Sequence, residues 1–270
     1  MKPAVTIALA PGITSGPWVY WHHLEENMQK AASLGFEAVE LFTADASLDT
    51  DHVRQLCSDH HLSIAAVGTG AGKVLHGLTL TDADAAIRKK AVEFIHQMIV
   101  MGAAFGAPAI IGSMQGNVAP GSNRHTSLEW LKEALIILGE AARSNGVPLV
   151  YEPLNRYETN LFNTLGDAAD FLSAHDIQNV KLLADLFHMN IEELSMADAL
   201  LDNSDYIGHI HFADSNRRAM GMGHTHMKPI ADALRRIGYQ GYISAEIFPL
   251  PDSDAAALQT IRAFKQWFMW

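Results

Sequence analysis

The chain has one cysteine, Cys57, in 270 residues. A lone thiol cannot close an internal disulfide, so the cysteine content does not point to an oxidising compartment. Its setting, Val53-Arg54-Gln55-Leu56-Cys57, is helix-like and predicts a packed thiol rather than a nucleophile. Basic residues are also scarce. Nineteen Lys and Arg face 30 Asp and Glu, a formal net charge of −11, and no Lys/Arg-rich run offsets it. That balance argues against nucleic acid as a partner. No stretch reaches about 20 apolar residues, so no membrane-spanning helix and no membrane partner are expected. The apolar run Ala4–Ala10 follows Lys2 and stops at Pro11-Gly12. It lies at the lower limit of a signal-peptide core and is read instead as a buried first strand, with cytoplasm as the expected location. No Pro/Ser linker or low-complexity stretch divides residues 1–270, which are read as one domain.

Hydrophobic residues make up 49% of the chain, enough for a substantial core. They alternate between short runs and longer amphipathic ones. The strand candidates are Val5–Leu9, Ala38–Phe42, Ser63–Val67, Ala109–Gly112, Leu149–Glu152, Lys181–Asp185, Ile207–His211 and Tyr242–Glu246. The helix candidates between them are Leu24–Leu34, Asp51–His60, Asp82–Phe105, Ser127–Asn145, Leu165–His175, Ile191–Leu201, Met227–Ile237 and Ala255–Phe268. Strands alternating with helices imply parallel βαβ units. Eight pairs in a chain near 250 residues predict an α/β fold of the single (β/α)8 TIM-barrel type. A doubly wound open sheet is the alternative, because sequence does not show closure. Gly35, Gly146 and Gly238 each follow a helical run, where a left-handed cap favours glycine.

In such barrels chemistry sits where strands end at the C-terminal face. The first four candidates end in nothing strongly polar. The last four end in Glu152, Asp185, His211 and Glu246, at gaps of 33, 26 and 35 residues. Each gap is close to one βα unit, so three carboxylates and an imidazole are expected to meet at one side of one mouth. Like charges so close call for a compensating cation. Three oxygen ligands and one nitrogen suit Mn²⁺, Mg²⁺ or Co²⁺ better than a thiol-seeking metal. Any one of the four alone reads most simply as an ordinary polar strand end; four in succession do not.

Four segments carry a resemblance. They are Tyr151-Glu152-Pro153-Leu154-Asn155-Arg156-Tyr157-Glu158, Asp185-Leu186-Phe187-His188-Met189-Asn190, His209-Ile210-His211-Phe212-Ala213-Asp214-Ser215-Asn216-Arg217 and Ala245-Glu246-Ile247-Phe248. Together they resemble the xylose-isomerase-like TIM-barrel family of sugar isomerases and epimerases, above all its ketose 3-epimerase branch, the D-tagatose/D-psicose 3-epimerases. The specific motifs run from about Glu152 to Glu246; the N-terminal half is similar only in general pattern. The resemblance implies that Glu152, Asp185, His211 and Glu246 hold one divalent ion, Mn²⁺ foremost. It implies that Glu152 and Glu246 are the catalytic acid/base pair. It implies that Glu158, His188 and Arg217 contact the O1 and O2 end of a sugar. Gly221-Met222-Gly223-His224 is similar to the family's Gly-x-Gly-His loop, but His226 stands where an acidic residue is common.

Other features have plainer readings. His22-His23 and His60-His61 sit at helix edges. If Ile207–His211 is a strand, His209 and His211 share a face; His211 lies nearer the mouth and is the ligand candidate, with His209 behind it. Gly68-Thr69-Gly70-Ala71-Gly72-Lys73 fails the phosphate-loop pattern, since Val74 follows Lys73. It is expected to form a flexible loop over the pocket. Trp18, Trp21, Phe42 and Phe248 are candidates to wall a sugar site. Phe264, Trp267, Phe268 and Trp270 suit a last helix packed on the barrel, any surplus favouring a homodimer or homotetramer. The leading function is a metal-dependent isomerase or epimerase that acts on a small-molecule keto sugar through an enediolate. Alternatives are a hydroxypyruvate-isomerase-like enzyme, a 3-keto-glycoside lyase or isomerase, an endonuclease-IV-like phosphodiesterase, and a barrel whose metal is only structural.

Overall fold

The computed structural model describes residues 1–269; Trp270, grouped above with the terminal aromatics, lies outside the described residues. Nine parallel strands form the sheet: β1 (Lys2–Leu9), β2 (Tyr20–Trp21), β3 (Ala38–Thr43), β4 (Ser63–Gly68), β5 (Ala109–Ile111), β6 (Leu149–Tyr151), β7 (Val180–Asp185), β8 (Ile207–His211) and β9 (Tyr242–Ala245). Strands β1 and β3 to β9 pair in sequence order, and β1 also pairs with β9, so eight of them close into a (β/α)8 barrel. The two-residue β2 lies beside Ile7 and Ala8 at the top of β1, above the stretch of β1 paired with β9. Closure excludes the open-sheet alternative.

Strand side chains alternate between two environments, and that alternation places the site. Val5, Ile7, Val39, Leu41, Tyr151, Leu182, Ile210 and Ile243 join the large core between barrel and helices. The positions between them face the barrel interior. Ala66, Ile110, Val150 and Leu183 form an apolar cluster there, from β4 to β7. The inward positions of β1, β3, β8 and β9 carry Thr6, Glu40, His209 and Ser244, all buried. The barrel interior is therefore greasy on one side and polar on the other.

The helices cover the outside. Met227–Arg236 shows why: Met227, Ile230, Ala231 and Leu234, at spacings of three and four, are buried. Lys228 and Arg235 pair with Asp232 on the exposed face. Gly35, Gly146 and Gly238 all take positive φ after their helices, as expected. At the chain's end Phe264 packs on Phe268, and Phe268 on Phe212.

Three expectations are corrected. Ile191–Leu201 is not one helix. Helix Leu186–Glu192 ends, and Met196–Asp202 begins after Ser195, whose hydroxyl accepts from the Asp198 N–H. The helix expected over Asp82–Phe105 spans Ala85–Ala103, capped by the Asp84 carboxylate on the Ala86 N–H. The glycine-rich segment after β4 is not a loop but a short helix, Ala71–His76, entered at Gly70.

Candidate active site

Four side chains meet at the C-terminal mouth, each carried there by an inward strand position. Asp185 and His211 are the last residues of β7 and β8, and Glu152 and Glu246 each follow the last residue of β6 and β9. One ligand atom from each lies within 4.8 Å of all the others. His211 Nδ1 is 3.4 Å from Glu152 Oε1, 3.4 Å from Asp185 Oδ2 and 3.6 Å from Glu246 Oε2. Three of these atoms, Glu152 Oε1, Asp185 Oδ2 and His211 Nδ1, are buried and have no hydrogen-bond partner. Buried polar atoms are almost always paired. Three orphans aimed at one another are what a bound cation would satisfy, and an oxygen-rich set with one imidazole nitrogen fits a hard or borderline divalent ion.

Each donor is oriented by its neighbours. Asp185 Oδ1 accepts from the Phe187 and His188 N–H groups at 2.7 and 3.4 Å, capping helix Leu186–Glu192 and leaving Oδ2 to the mouth. Burial of Asp185 works against its charge, but His188, His211 and Arg217 outweigh it and hold the carboxyl below the usual carboxylate range. The Glu152 backbone is held at both ends. Its N–H donates to Ile111 O at 3.0 Å, and its carbonyl accepts from Gln115 Nε2 at 2.8 Å. Glu152 Oε2 lies over Gly112, where an added Cβ would come within 2.5 Å of it. The same barrel position with any side chain would displace the carboxylate.

The residues expected to contact sugar adjoin this centre. His188 Nε2 is 3.7 Å from Asp185 Oδ2 and 4.0 Å from Glu152 Oε1, and it is buried without a partner. The Asn155 backbone N–H donates to His188 Nδ1 at 3.2 Å, and Asn155 Nδ2 lies 2.8 Å from the same nitrogen. A nitrogen that accepts cannot carry the proton, so in the neutral ring Nε2–H is a donor turned into the site. Arg217 occupies a left-handed turn, φ 58°, between Asp214 and Phe248. Its Nη2 donates to Glu246 Oε2 at 2.5 Å, and its Nη1 lies 3.5 Å from Glu158 Oε1. The turn is set by Asp214, whose carboxylate accepts from the N–H groups of Ser215, Gly221, Gly223 and Thr225.

Sequence reading missed Glu40. It sits in the middle of β3, 4% exposed, and crosses the barrel interior to β8. Its two oxygens accept from His209 Nε2 at 2.7 Å and His211 Nε2 at 3.1 Å. Burial disfavours its charge, yet the neighbouring His211 and the bonds from both histidines keep it well below the usual carboxylate range. The signal was present: one acidic residue at the inward phase of the apolar run Ala38-Val39-Glu40-Leu41-Phe42. Asn155 lies within the Tyr151–Glu158 motif, and nothing local in the sequence marks its contact with His188.

A cavity of about 220 Å³ opens above these groups. Trp18 packs on Phe42 with ring centroids 4.1 Å apart, and Val74 and Leu154 also line the cavity. Gly68 and Gly70 keep the rim beside Phe42 small, since an added Cβ would meet that ring at 3.1 and 3.0 Å. Trp21 meets Trp18 edge-on, but neither Trp21 nor the exposed Phe248 lines the cavity. Arg217 is the single Lys or Arg lining the cavity among the described residues. No described helix is long and apolar enough to cross a membrane.

A closed (β/α)8 barrel whose last four strands deliver carboxylates and an imidazole to one mouth defines a class of metal-site barrel enzymes. The family profile described as xylose isomerase-like TIM barrel matches residues 28–267, and the chain belongs to that family. It is 30% identical over 244 residues to a D-psicose 3-epimerase of Agrobacterium fabrum, covering 85% of this chain and 82% of that one. It is 39% identical over 118 residues to a 3-dehydro-D-guloside 4-epimerase of Escherichia coli; that match spans 44% of this chain and 45% of that protein. Among solved structures, an L-ribulose 3-epimerase superposes with a TM-score of 0.82 at 24% identity, over 98% of this chain and 93% of that one, which shows the shared fold.

Proposed function

We propose that this chain is a metal-dependent ketose 3-epimerase, in which Glu152, Asp185, His211 and Glu246 hold one divalent ion, Mn²⁺ foremost. The observation that carries the reading is the convergence of three orphaned buried donors, Glu152 Oε1, Asp185 Oδ2 and His211 Nδ1, beside Glu246. A divalent ion held there would polarise a carbonyl and stabilise the charge that develops as a proton leaves the neighbouring carbon. The three proteins named above are epimerases of keto sugars or of a dehydro-guloside, which supports the same class.

The chain's own residues would then divide the work. Glu152 and Glu246 rise three strands apart around the ring, so they can face a bound ketose from two sides, one removing the proton and the other returning it. Burial, with Glu152 and Asp185 adding to it against His211 and Arg217, pushes Glu246 up to about 7 in the side-chain set alone. A bound divalent ion would lower it again and leave a carboxylate able to accept a proton from substrate. His188 Nε2–H and the Arg217 guanidinium donate to substrate oxygens, and Glu158 braces Arg217. Trp18 and Phe42 shield the reacting carbon from water.

A second reading, epimerisation of a 3-keto-glycoside next to its ketone, is favoured by the 39% identity to the guloside 4-epimerase. It needs the same acid/base pair and differs only in what lies beyond the reacting carbons. One experiment tests both. Free ketoses (D-fructose, D-psicose, D-tagatose, L-ribulose) and 3-keto-glycosides are incubated with enzyme and Mn²⁺ in heavy water. Epimerised product carrying deuterium at the inverted carbon supports the two-glutamate route, and the better substrate decides the reading. Full turnover after exhaustive chelation, or inversion in both the Glu152→Gln and Glu246→Gln variants at parental rate, would sink it. Each substitution is expected to lower kcat by at least about 100-fold, in the upper range for general acid–base catalysis.

A further inference from the structure

The His211 side chain has one nitrogen facing the four-residue cluster and the other facing Glu40, and only one tautomer serves both. We propose that Glu40 is a positioning residue of this centre: by accepting from His211 Nε2, it fixes the tautomer that leaves the Nδ1 lone pair free for a divalent cation. The inference rests on the reading of the cluster as a metal site and deepens it.

The geometry is specific. Glu40 comes from β3 and His211 from β8, so the contact passes over β1 and β9 through the barrel interior. Both flanking ladders are irregular at this level. Register shifts between Val39 and Leu41 against β4, and between Leu182 and Leu183 against β8. Bulges of this kind re-aim side chains beside active sites. The β8 irregularity falls at Gly208, where an added Cβ would meet Lys181 Cβ at 2.5 Å, so the bulge needs glycine. Beyond the bulge His209 and His211, two residues apart on β8, share the inward face by strand alternation, one on each oxygen of Glu40. A carboxylate can accept from two imidazole N–H groups at once; an amide of the same shape has one acceptor and must donate with its other end. Metal-bound histidines commonly give their second N–H to a carboxylate in this way, and loss of such a partner costs about 10- to 100-fold in metal affinity.

The test uses the full chain and Mn²⁺ alone, read by titration of free Mn²⁺ with no sugar present. Glu40→Gln is expected to weaken Mn²⁺ binding by about 10- to 100-fold. Its melting temperature in chelator should fall, because one buried histidine N–H loses its acceptor, yet stay above the titration temperature, so affinity is read on folded protein. His209→Gln, which still presents an N–H to Glu40, should bind within about threefold of the parent, well short of the loss that removing an outer partner causes. Parental affinity in Glu40→Gln would overturn the proposal, as would an equal loss in both variants. If Glu40→Gln does not fold, the parent still decides. Histidine-labelled protein loaded with Mg²⁺ should show His211 protonated on Nε2 in two-bond ¹H–¹⁵N spectra; protonation on Nδ1 would overturn the proposal. A parent that binds no divalent metal would overturn both this and the proposed function. A metal-binding parent that turns over no sugar would remove only the latter.

Discussion

Gly112 offers a sharp test of how the mouth is built, because the perturbation is one methyl group and its target is one carboxylate. In Gly112→Ala the new Cβ would lie 2.5 Å from Glu152 Oε2, whereas ordinary contact begins near 3.4 Å. Glu152 cannot retreat through its backbone, which is pinned at the N–H by Ile111 O and at the carbonyl by Gln115. Its carboxylate must therefore swing by about 1 Å, a displacement that costs on the order of 100-fold in rate when it falls on a catalytic group. That is about 2.7 kcal/mol of transition-state stabilisation. The variant should lose kcat on its best ketose by about that factor at saturating Mn²⁺, while melting in chelator near the parental temperature. Gly166→Ala is the control: nothing lies within 4 Å of its Cβ position, and it sits inside helix Leu165–Ala174. It should leave kcat unchanged and add up to about 1 kcal/mol of stability. A Gly112→Ala enzyme that keeps parental kcat would refute the claim that glycine is there to admit the carboxylate.

Further outcomes follow from the same geometry. Asp185→Asn should lose most bound Mn²⁺ by elemental analysis, and saturating Mn²⁺ should raise the parent's melting temperature, the stabilisation reaching about 2.7 kcal/mol at 100 times Kd. His188→Ala and Asn155→Ala should both lower kcat while Mn²⁺ titration stays parental, because His188 Nε2 is a donor and not a ligand; loss of metal in either would show the reverse. Asp214 should make the loop that carries Arg217 acid-sensitive. Burial opposes its charge, but bonds from the N–H groups of Thr225, Ser215 and Gly223 prevail and hold its pKa below the ordinary value. A depressed folded pKa gives stability that is present above the unfolded value of about 3.9 and is lost as pH falls further. Hydrogen exchange of residues 214–225 should therefore accelerate below about pH 4 in the parent. In Asp214→Asn it should be fast already at neutral pH, with KM raised through Arg217.

The cluster of Glu152, Asp185, His211 and Glu246 was legible because its members share a rule: each stands at or just beyond the end of an inward-facing strand position, one βα unit from the next. Glu40 broke the rule. It lies in mid-strand rather than at an end, and its partners are 169 and 171 residues away, a distance no local pattern bridges. The role of Asn155 was hidden differently. It depends on which His188 nitrogen accepts, and spacing carries no information on tautomers. The helix expected over Ile191–Leu201 failed because apolar periodicity continues through Glu193-Leu194-Ser195, while two capping side chains, Asp185 and Ser195, impose separate starts. Barrel closure was legible only as a count of eight; the β1–β9 pairing that closes it joins residues at opposite ends of the chain.

The two imidazoles at the mouth illustrate how one residue type can be made to do opposite things at close range. His211 gives its proton side to Glu40 and turns a lone pair inward; His188 gives its lone pair to Asn155 and turns a proton inward. Neither assignment lies in the histidine itself. Both are imposed by neighbours whose own placement comes from the fold: a mid-strand carboxylate on β3, and an amide in the turn after β6. The inward-facing groups then read as a lone pair among three carboxylates, suited to a cation, beside an N–H and a guanidinium, suited to the oxygens of a polyol. Such a site favours a substrate that brings a carbonyl and hydroxyls together. An ion without donors alongside would not orient it, and donors without an ion would leave the developing charge unmet. The charged half of the mouth comes from β6 to β9, whereas much of the wall, Trp18, Phe42, Gly70, Val74 and Ser113, comes from segments before β6. The reaction class is thus written in the half of the chain where the family motifs are dense. The choice of sugar is left to the half where the resemblance is only general.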